Sequence, residues 1–132
     1  MMNLKPMPSK PASRAGEFIG YLFHLRNQAH VYHLQTRSFA QHKALDEFYS
    51  TIVDLADGLA EAYQGKYDLI KGYSTYGYKE DGNPLSCMQE CLNYVNENRY
   101  TIFKKEDTNI QNDIDTIVSL IESTIYKLKF LG

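Results

Sequence analysis

The chain has 132 residues, of which 43% are hydrophobic and 23% charged, a balance typical of a folded globular domain rather than a disordered segment. No apolar run approaches the roughly 18 to 20 residues that a membrane helix requires, and the N-terminus lacks the apolar stretch of a secretory signal. These features predict a cytoplasmic protein with no membrane segment. Lys5, Lys10 and Arg14 give residues 1–16 a net charge of +3, whereas the remaining chain carries −5. A basic tail therefore precedes an acidic body.

Residues 1–15 are predicted to form an extended basic arm, because their three prolines exclude a continuous helix. Residues 16–132 are predicted to form one domain, whose first helix covers about residues 17–34 on the helical spacing of its apolar side chains. Ser38 is followed three residues later by a glutamine, a capping box that predicts the start of the second helix. We expect this helix to end at Gly65.

The third helix is predicted to begin after Pro84, with a capping box at Ser86, and to end near Arg99. Another box at Thr108 predicts the fourth helix. Between the second and third helices, about 20 residues rich in glycine and tyrosine predict a long crossover. Since no segment alternates as a strand does, we predict an all-α, ferritin-like four-helix bundle with its long crossover between the second and third helices.

Three of the four histidines fall within 13 positions, and carboxylates follow them on the second helix. Imidazole and carboxylate together suit Fe(II) and, less specifically, zinc or manganese. His24 lies outside the group, and we expect it to be structural, as we do the two cysteines, Cys87 and Cys91. The candidate metal ligands are His30, His33, His42, Asp46, Asp57 and Glu61.

The angular positions of these residues on the second helix place them beside the apolar face rather than at its centre. At 100° per residue, the strip that includes His42, Asp46 and Asp57 is displaced by roughly 60 to 150° from the direction of the predicted core. The single-bundle di-iron site is disfavoured as well, because it needs Glu-x-x-His on inward positions and no such motif occurs. A metal site here is therefore predicted at the edge of the subunit, where a neighbouring subunit completes it.

Residues 30–61 resemble the ferroxidase region of the miniferritins, the DNA-protection-during-starvation family. That family has a second His 12 residues after its first. An Asp follows four residues after the second His, and another Asp follows 15 residues after the same His. A Glu comes four residues after this second Asp. Those intervals are met by His30, His42, Asp46, Asp57 and Glu61. The amino-acid sequence of the segment most resembles the small ferritin-like proteins of tailed phages.

The first histidine of this pattern has two candidates. His30 keeps the interval, but Val31 stands where the family usually has Trp. Alternatively His33 takes that position, with Leu34 replacing the Trp and a turn shorter by three residues. Both histidines share a helical face, so that both can approach one metal ion.

The resemblance implies a homo-oligomer, typically a dodecameric cage, with iron sites at twofold interfaces. The histidines of one subunit would face Asp46, Asp57 and Glu61 of its partner, and His42, Asp57 and Glu61 would be the catalytic residues. Fe(II) would be oxidised there, preferentially by peroxide, and stored as ferric mineral, which would protect DNA.

The basic arm is a candidate contact for DNA, since Lys5, Lys10 and Arg14 would be repeated on every subunit of a cage. It is equally expected to act as a solubilising or packing arm. The other function class that the sequence allows is a ferritin-like bundle without iron chemistry, serving as a structural or protein-binding module. The crossover tyrosines would suit such a contact; they are Tyr67, Tyr73, Tyr76 and Tyr78.

Overall fold

A computed structural model describes residues 13–131 of the chain. Within that range it contains four α-helices and no β-strand, which confirms the all-α prediction and the number of helices. None of these helices is long and apolar enough to cross a membrane. The helices are α1 (Arg14–Gln35), α2 (Phe39–Lys66), α3 (Pro84–Ile102) and α4 (Thr108–Phe130).

The first two helices are each capped by a serine. The Ser38 hydroxyl accepts a hydrogen bond from the Gln41 amide at 3.2 Å, as its capping box predicts. The Ser13 hydroxyl likewise accepts from the Gly16 amide at 2.9 Å. As a result, α1 begins at Arg14, and the last two residues of the predicted arm are helical. Residues 1–12 lie outside the described part of the chain.

The other two capping predictions were wrong. Helix α3 is capped by Asn83, whose side-chain oxygen accepts from the Ser86 amide at 3.1 Å, so that Ser86 is inside the helix. Pro84 follows the cap because its fixed φ and missing N–H suit the first helical position. The residue that caps α4 is Asp107 rather than Thr108, and its carboxylate makes no capping bond because it binds the end of α2 instead.

Four antiparallel contacts build the bundle: α1 packs on α2 and α3, and α4 packs on the same two helices. In the centre, the ring of Phe18 lies 5.7 Å from that of Tyr94 and 5.1 Å from that of Phe103. Near the start of α4, Lys66 and Asp107 form an ion pair at 3.3 Å. The largest fully buried side chains come from all four helices and include Phe18, Phe48, Leu22, Leu45, Leu59, Met88, Ile110, Ile114 and Ile117.

Residues 68–83 connect α2 to α3 by running along the surface of α1. Near the start of α1, the Ser74 amide donates to the Gly16 carbonyl at 3.3 Å. Two turns from its end, the Gln28 side chain exchanges hydrogen bonds with the main chain of Lys79, at 2.8 and 3.0 Å. The segment therefore follows α1 from its N-terminal to its C-terminal half, and helices α2 and α3 run in the same direction.

Two glycines of α1 allow this segment to approach closely. A Cβ on Gly16 would overlap the carbonyl group of Gly72, and one on Gly20 would overlap that of Ser74. Because the obstacle in both cases is backbone, no side-chain rearrangement can make room. The two glycines of this Gly-x-x-x-Gly motif thus form the surface of α1 on which the crossover packs.

Candidate metal centre

The three-residue turn between α1 and α2 brings His33 and His42 into contact. Their rings stack with centroids 3.6 Å apart and planes inclined by 20°. The two residues also bond each other reciprocally, since the Nδ1 of each ring lies 2.8 Å from the main-chain oxygen of the other residue. Residues nine apart in sequence are therefore clamped together by two equivalent hydrogen bonds.

These bonds decide which ring nitrogens remain for other partners. A carbonyl oxygen only accepts, so Nδ1 of His33 and of His42 must each carry the proton. In the neutral form, the lone pair then lies on Nε2, and neither Nε2 is hydrogen-bonded within residues 13–131. A backbone carbonyl that holds Nδ1–H is the usual partner of a metal-binding histidine, because it fixes the tautomer and the orientation of the ring.

His30 extends this group towards the middle of the helices. Its ring stacks on Tyr49 at 4.2 Å, with the planes inclined by 15°, and lies 6.0 Å from the ring of His33. The edge of Tyr49 also meets His33, at 5.3 Å between centroids. Of the two candidates for the first ligand, His33 is the one in direct contact with His42, and His30 is joined to the pair through Tyr49.

Asp46 lies one helical turn after His42, on the same side of the subunit as the histidines. Burial raises the pKa of Tyr49 above its ordinary value, and the neighbouring carboxylate of Asp46 raises it further. This phenol therefore stays protonated at neutral pH. That Asp46 faces the histidines of a partner subunit stays a prediction.

Tyr49 also belongs to this group, although the sequence did not mark it as a candidate. It is only half-buried, and it touches two of the three histidines. The signal that would have found it is its spacing, because position 49 is seven residues after His42 and therefore on the same helical face.

Asp57 and Glu61 lie at the other end of α2. A helix rises 1.5 Å per residue, so Asp57 is about 22 Å and Glu61 about 28 Å from His42 along the axis. Both carboxylates are exposed. Within residues 13–131, no three His, Cys, Asp or Glu side chains are close enough together to hold a metal ion. One subunit therefore brings His33 and His42 into contact, but it does not gather Asp46, Asp57 or Glu61 around them.

The crossover flanks the carboxylate end of α2. Burial raises the pKa of Tyr73, and the negative charge of Asp57 raises it further. The Tyr73 ring stacks on Phe23 of α1 at 6.2 Å, and its hydroxyl donates to the Gln64 side chain at 3.4 Å. The outer face of α1 and α2 thus has histidines at one end and carboxylates beside the crossover at the other.

The remaining candidate residues are dispersed. Lys5 and Lys10 lie outside the described residues, and Arg14 is exposed on the first turn of α1, at the end of the bundle opposite the histidines. Tyr67 donates to Asp107, and Tyr76 packs 6.0 Å from Tyr21, as intramolecular packing of the crossover requires. Tyr78 is exposed.

Comparisons with known proteins give a family and one phage relative. The pattern of a family of unknown function, DUF5856, matches residues 33–128. An uncharacterized 14.6 kDa protein from the mobD-ri intergenic region of Enterobacteria phage T4 is 28% identical over 120 residues, which are 88% of each chain. No solved structure matches. The chain is therefore similar to a phage protein.

Proposed function

The chain belongs to the DUF5856 family, whose function is unknown, and we propose that it is a miniferritin that oxidises Fe(II) at sites shared between subunits. The product would be stored as ferric iron, and DNA would thereby be protected from peroxide. The observation that carries the proposal is the clamped pair His33 and His42, in which both Nδ1 atoms are engaged and neither Nε2 makes a hydrogen bond within residues 13–131.

The residue types fit iron as the substrate. Neutral imidazoles with carboxylates and open coordination positions suit Fe(II), with zinc and manganese as other occupants. His33 and His42 would supply nitrogen from Nε2, while Asp46, together with the other carboxylates that the partner contributes, would supply oxygen. The ring of His30 lies 6.0 Å from that of His33, beside the pair. Asp57 and Glu61 of a partner would complete the site.

A twofold axis supplies the missing carboxylates. In an antiparallel pair of α2 helices related by an axis near residue 50, position 42 of one subunit lies opposite position 58 of the other. The carboxylates of Asp57 and Glu61 then flank the histidines of the partner, and the symmetry creates two equivalent sites. Tyr49 and Val53, both half-buried, lie on the face that this pairing would cover.

Exposed apolar side chains at the histidine end support an assembly. Leu34 is 71% exposed and Phe39 is 74% exposed, on either side of the turn that clamps His33 to His42. The Phe39 ring also stacks on His42 at 6.3 Å. Large apolar side chains grouped around polar ligands are typical of an interaction surface.

The proposed reaction consumes two Fe(II) ions, one hydrogen peroxide and two protons, and yields two Fe(III) ions and two waters. Each iron loses one electron, and the O–O bond is cleaved by the pair. Because peroxide receives both electrons together, no hydroxyl radical is released. His42, Asp57 and Glu61 would bind the iron directly, and the partner's carboxylates would balance the added positive charge.

The ferritin-like connectivity and the cage belong to the same proposal. Helices α2 and α3 run parallel, and the crossover spans the bundle along α1, which is the connection that a ferritin-like bundle requires. An acidic body would suit a mineral cavity. Contact with DNA would depend on Lys5, Lys10 and Arg14.

Replacing both His33 and His42 by asparagine tests the ligand assignment. An asparagine amide can reproduce the Nδ1–H bond to a carbonyl but has no counterpart of Nε2. We expect the turn to stay folded while oxidation of Fe(II) by peroxide slows by at least about 100-fold, since even outer partners of metal ligands are worth roughly 10- to 100-fold. Stopped-flow absorbance of the ferric product measures the rate, and circular dichroism checks the fold.

The matched control is His24→Asn, which changes a histidine outside the group. It should oxidise iron at the wild-type rate. The solution mass, measured on the same samples, addresses the other function class. A monomer that neither binds nor oxidises iron would refute the proposal and favour a structural or protein-binding module.

A further inference from the structure

The bundle also has a cleft, on the opposite side of α1 from the histidine pair. It has a volume of about 280 Å³ and lies between α1, the end of the crossover and the start of α3. Its walls contain His24, Lys79, Tyr21, Cys87 and Glu90. At this size, the cleft takes a small polar group rather than a nucleotide or a peptide.

His24 faces this cleft without a partner. Only 8% of its surface is exposed, yet its ring makes no hydrogen bond with residues 13–131. Its ring contacts are aromatic, with Tyr21 at 6.1 Å and Tyr76 at 5.5 Å between centroids. The ring nitrogens of His24 are therefore free, at the wall of the cleft, to bond to another molecule.

Lys79 places a positive charge beside His24. Burial lowers the pKa of His24, and the nearby ammonium group of Lys79 lowers it further. The main chain of Lys79 is fixed by the two hydrogen bonds to Gln28, which anchor the base of its side chain at the cleft. The capping residue Asn83 also lines the cleft, so that the positive end of the α3 dipole lies near it.

The other polar groups of the cleft are mostly hydrogen-bond donors. Tyr21 contributes a hydroxyl, whereas that of Tyr32 donates to the Asp81 carbonyl. Burial, and to a lesser extent the charge of Glu90, raises the pKa of Cys87 to about 11, so that its thiol keeps its proton. Glu90 is the exception; it is exposed, one turn further along α3 than Cys87. A site with many donors and a lysine suits a ligand that offers acceptors and negative charge.

We propose that this cleft binds a small oxyanion, a phosphate or carboxylate group, held between the side chains of Lys79 and His24. Binding would let the imidazole donate to an anion and would raise its basicity. The site is separate from the iron centre, and it stands whether or not the chain oxidises iron.

Titration with inorganic phosphate and with acetate, followed by nuclear magnetic resonance of the histidine side chains, tests this inference. The His24 signal is identified by its loss in His24→Gln. We expect saturable shifts at His24 with at least one of the two anions, together with an upward shift of its pKa. In Lys79→Met, affinity should fall by about tenfold or more, the effect of losing one charge-assisted hydrogen bond.

Lys105→Met is the matched control, because Lys105 is an exposed lysine at the opposite end of the bundle. It should bind the anion as the wild type does. A response to phosphate alone would identify a phosphoryl site, and a response to acetate a carboxylate site. The inference is overturned if His24 responds to neither anion, or if Lys79→Met binds as tightly as Lys105→Met, which would indicate general attraction to surface charge.

Discussion

Replacing Asp57 and Glu61 together by alanine is expected to abolish the oxidation of Fe(II) by peroxide while leaving the helical fold intact. Under the proposed function these are the carboxylates that one subunit gives to the histidines of its partner. Their loss removes two oxygen ligands and two negative charges from each site, so the rate should fall by at least about 100-fold. Both side chains are exposed, and the free energy of unfolding should change by less than about 0.5 kcal/mol per site.

The matched control is the double variant Glu97→Ala with Glu122→Ala, which removes two exposed carboxylates from α3 and α4, away from the strip on α2. It has the same net charge as the test variant and should oxidise iron at the wild-type rate. Stopped-flow kinetics and thermal unfolding of both variants separate loss of the site from loss of the fold. Unchanged kinetics in the Asp57 and Glu61 variant would defeat the assignment of these carboxylates.

A second large effect, on the free energy of unfolding, is expected where the crossover packs on α1. In Gly16→Ala the new methyl group would overlap the Gly72 carbonyl, and in Gly20→Ala it would overlap that of Ser74. Because only movement of the backbone relieves these overlaps, each variant should lose about 3 kcal/mol of unfolding free energy. Denaturant unfolding measures this loss, and limited proteolysis of residues 68–83 should become faster.

Gly58→Ala provides the comparison, since Gly58 is also helical but a Cβ there would meet no atom within 4 Å. Alanine is a better helix former than glycine, so this variant should gain about 0.5–1 kcal/mol. Opposite signs for the same substitution on two helices would show that contact with the crossover, and not helix propensity, decides the outcome. A Gly16→Ala variant as stable as Gly58→Ala would contradict the described path of the crossover.

Local sequence signals were sufficient where only one cap was available. Ser38 follows the short turn after α1 and was identified correctly, because no competing cap stands beside it. At α3, Asn83 and Ser86 both offer a side-chain oxygen, and Asn83 prevails since Pro84 favours the first helical position. At α4, Asp107 is the N-cap, but Lys66 and Tyr67 hold its carboxylate away from the helix amides, and these partners are distant in sequence.

In the candidate site, too, local patterns predicted some features, and contacts between distant residues decided the others. Periodicity predicted that His42, Asp46 and Asp57 lie beside the core of the bundle, and none of the three is among the buried residues of α2. It left His30 and His33 equivalent, because both lie on one helical face. The choice of His33 as the contact of His42 depends on the geometry of the interhelical turn, which makes the two reciprocal hydrogen bonds possible.

The path of the crossover was also outside the reach of local patterns. Gly16 and Gly20 look like unfavourable residues in a predicted helix, and their use emerges only once residues 72–74 are packed against them. Likewise, the bond between Gln28 and Lys79 joins positions 51 residues apart. Such long-range contacts set the direction of α3, and composition does not encode them.

Mixed oligomers of two inactive variants test most directly whether the metal site is shared between subunits. One variant carries His33→Asn with His42→Asn, and the other carries Asp57→Ala with Glu61→Ala. In a twofold mixed pair, one of the two sites regains intact histidines and intact carboxylates. Random mixing should therefore restore about one quarter of the wild-type oxidation rate. If mass spectrometry shows mixed oligomers and the mixture stays as inactive as its parents, the shared site is contradicted.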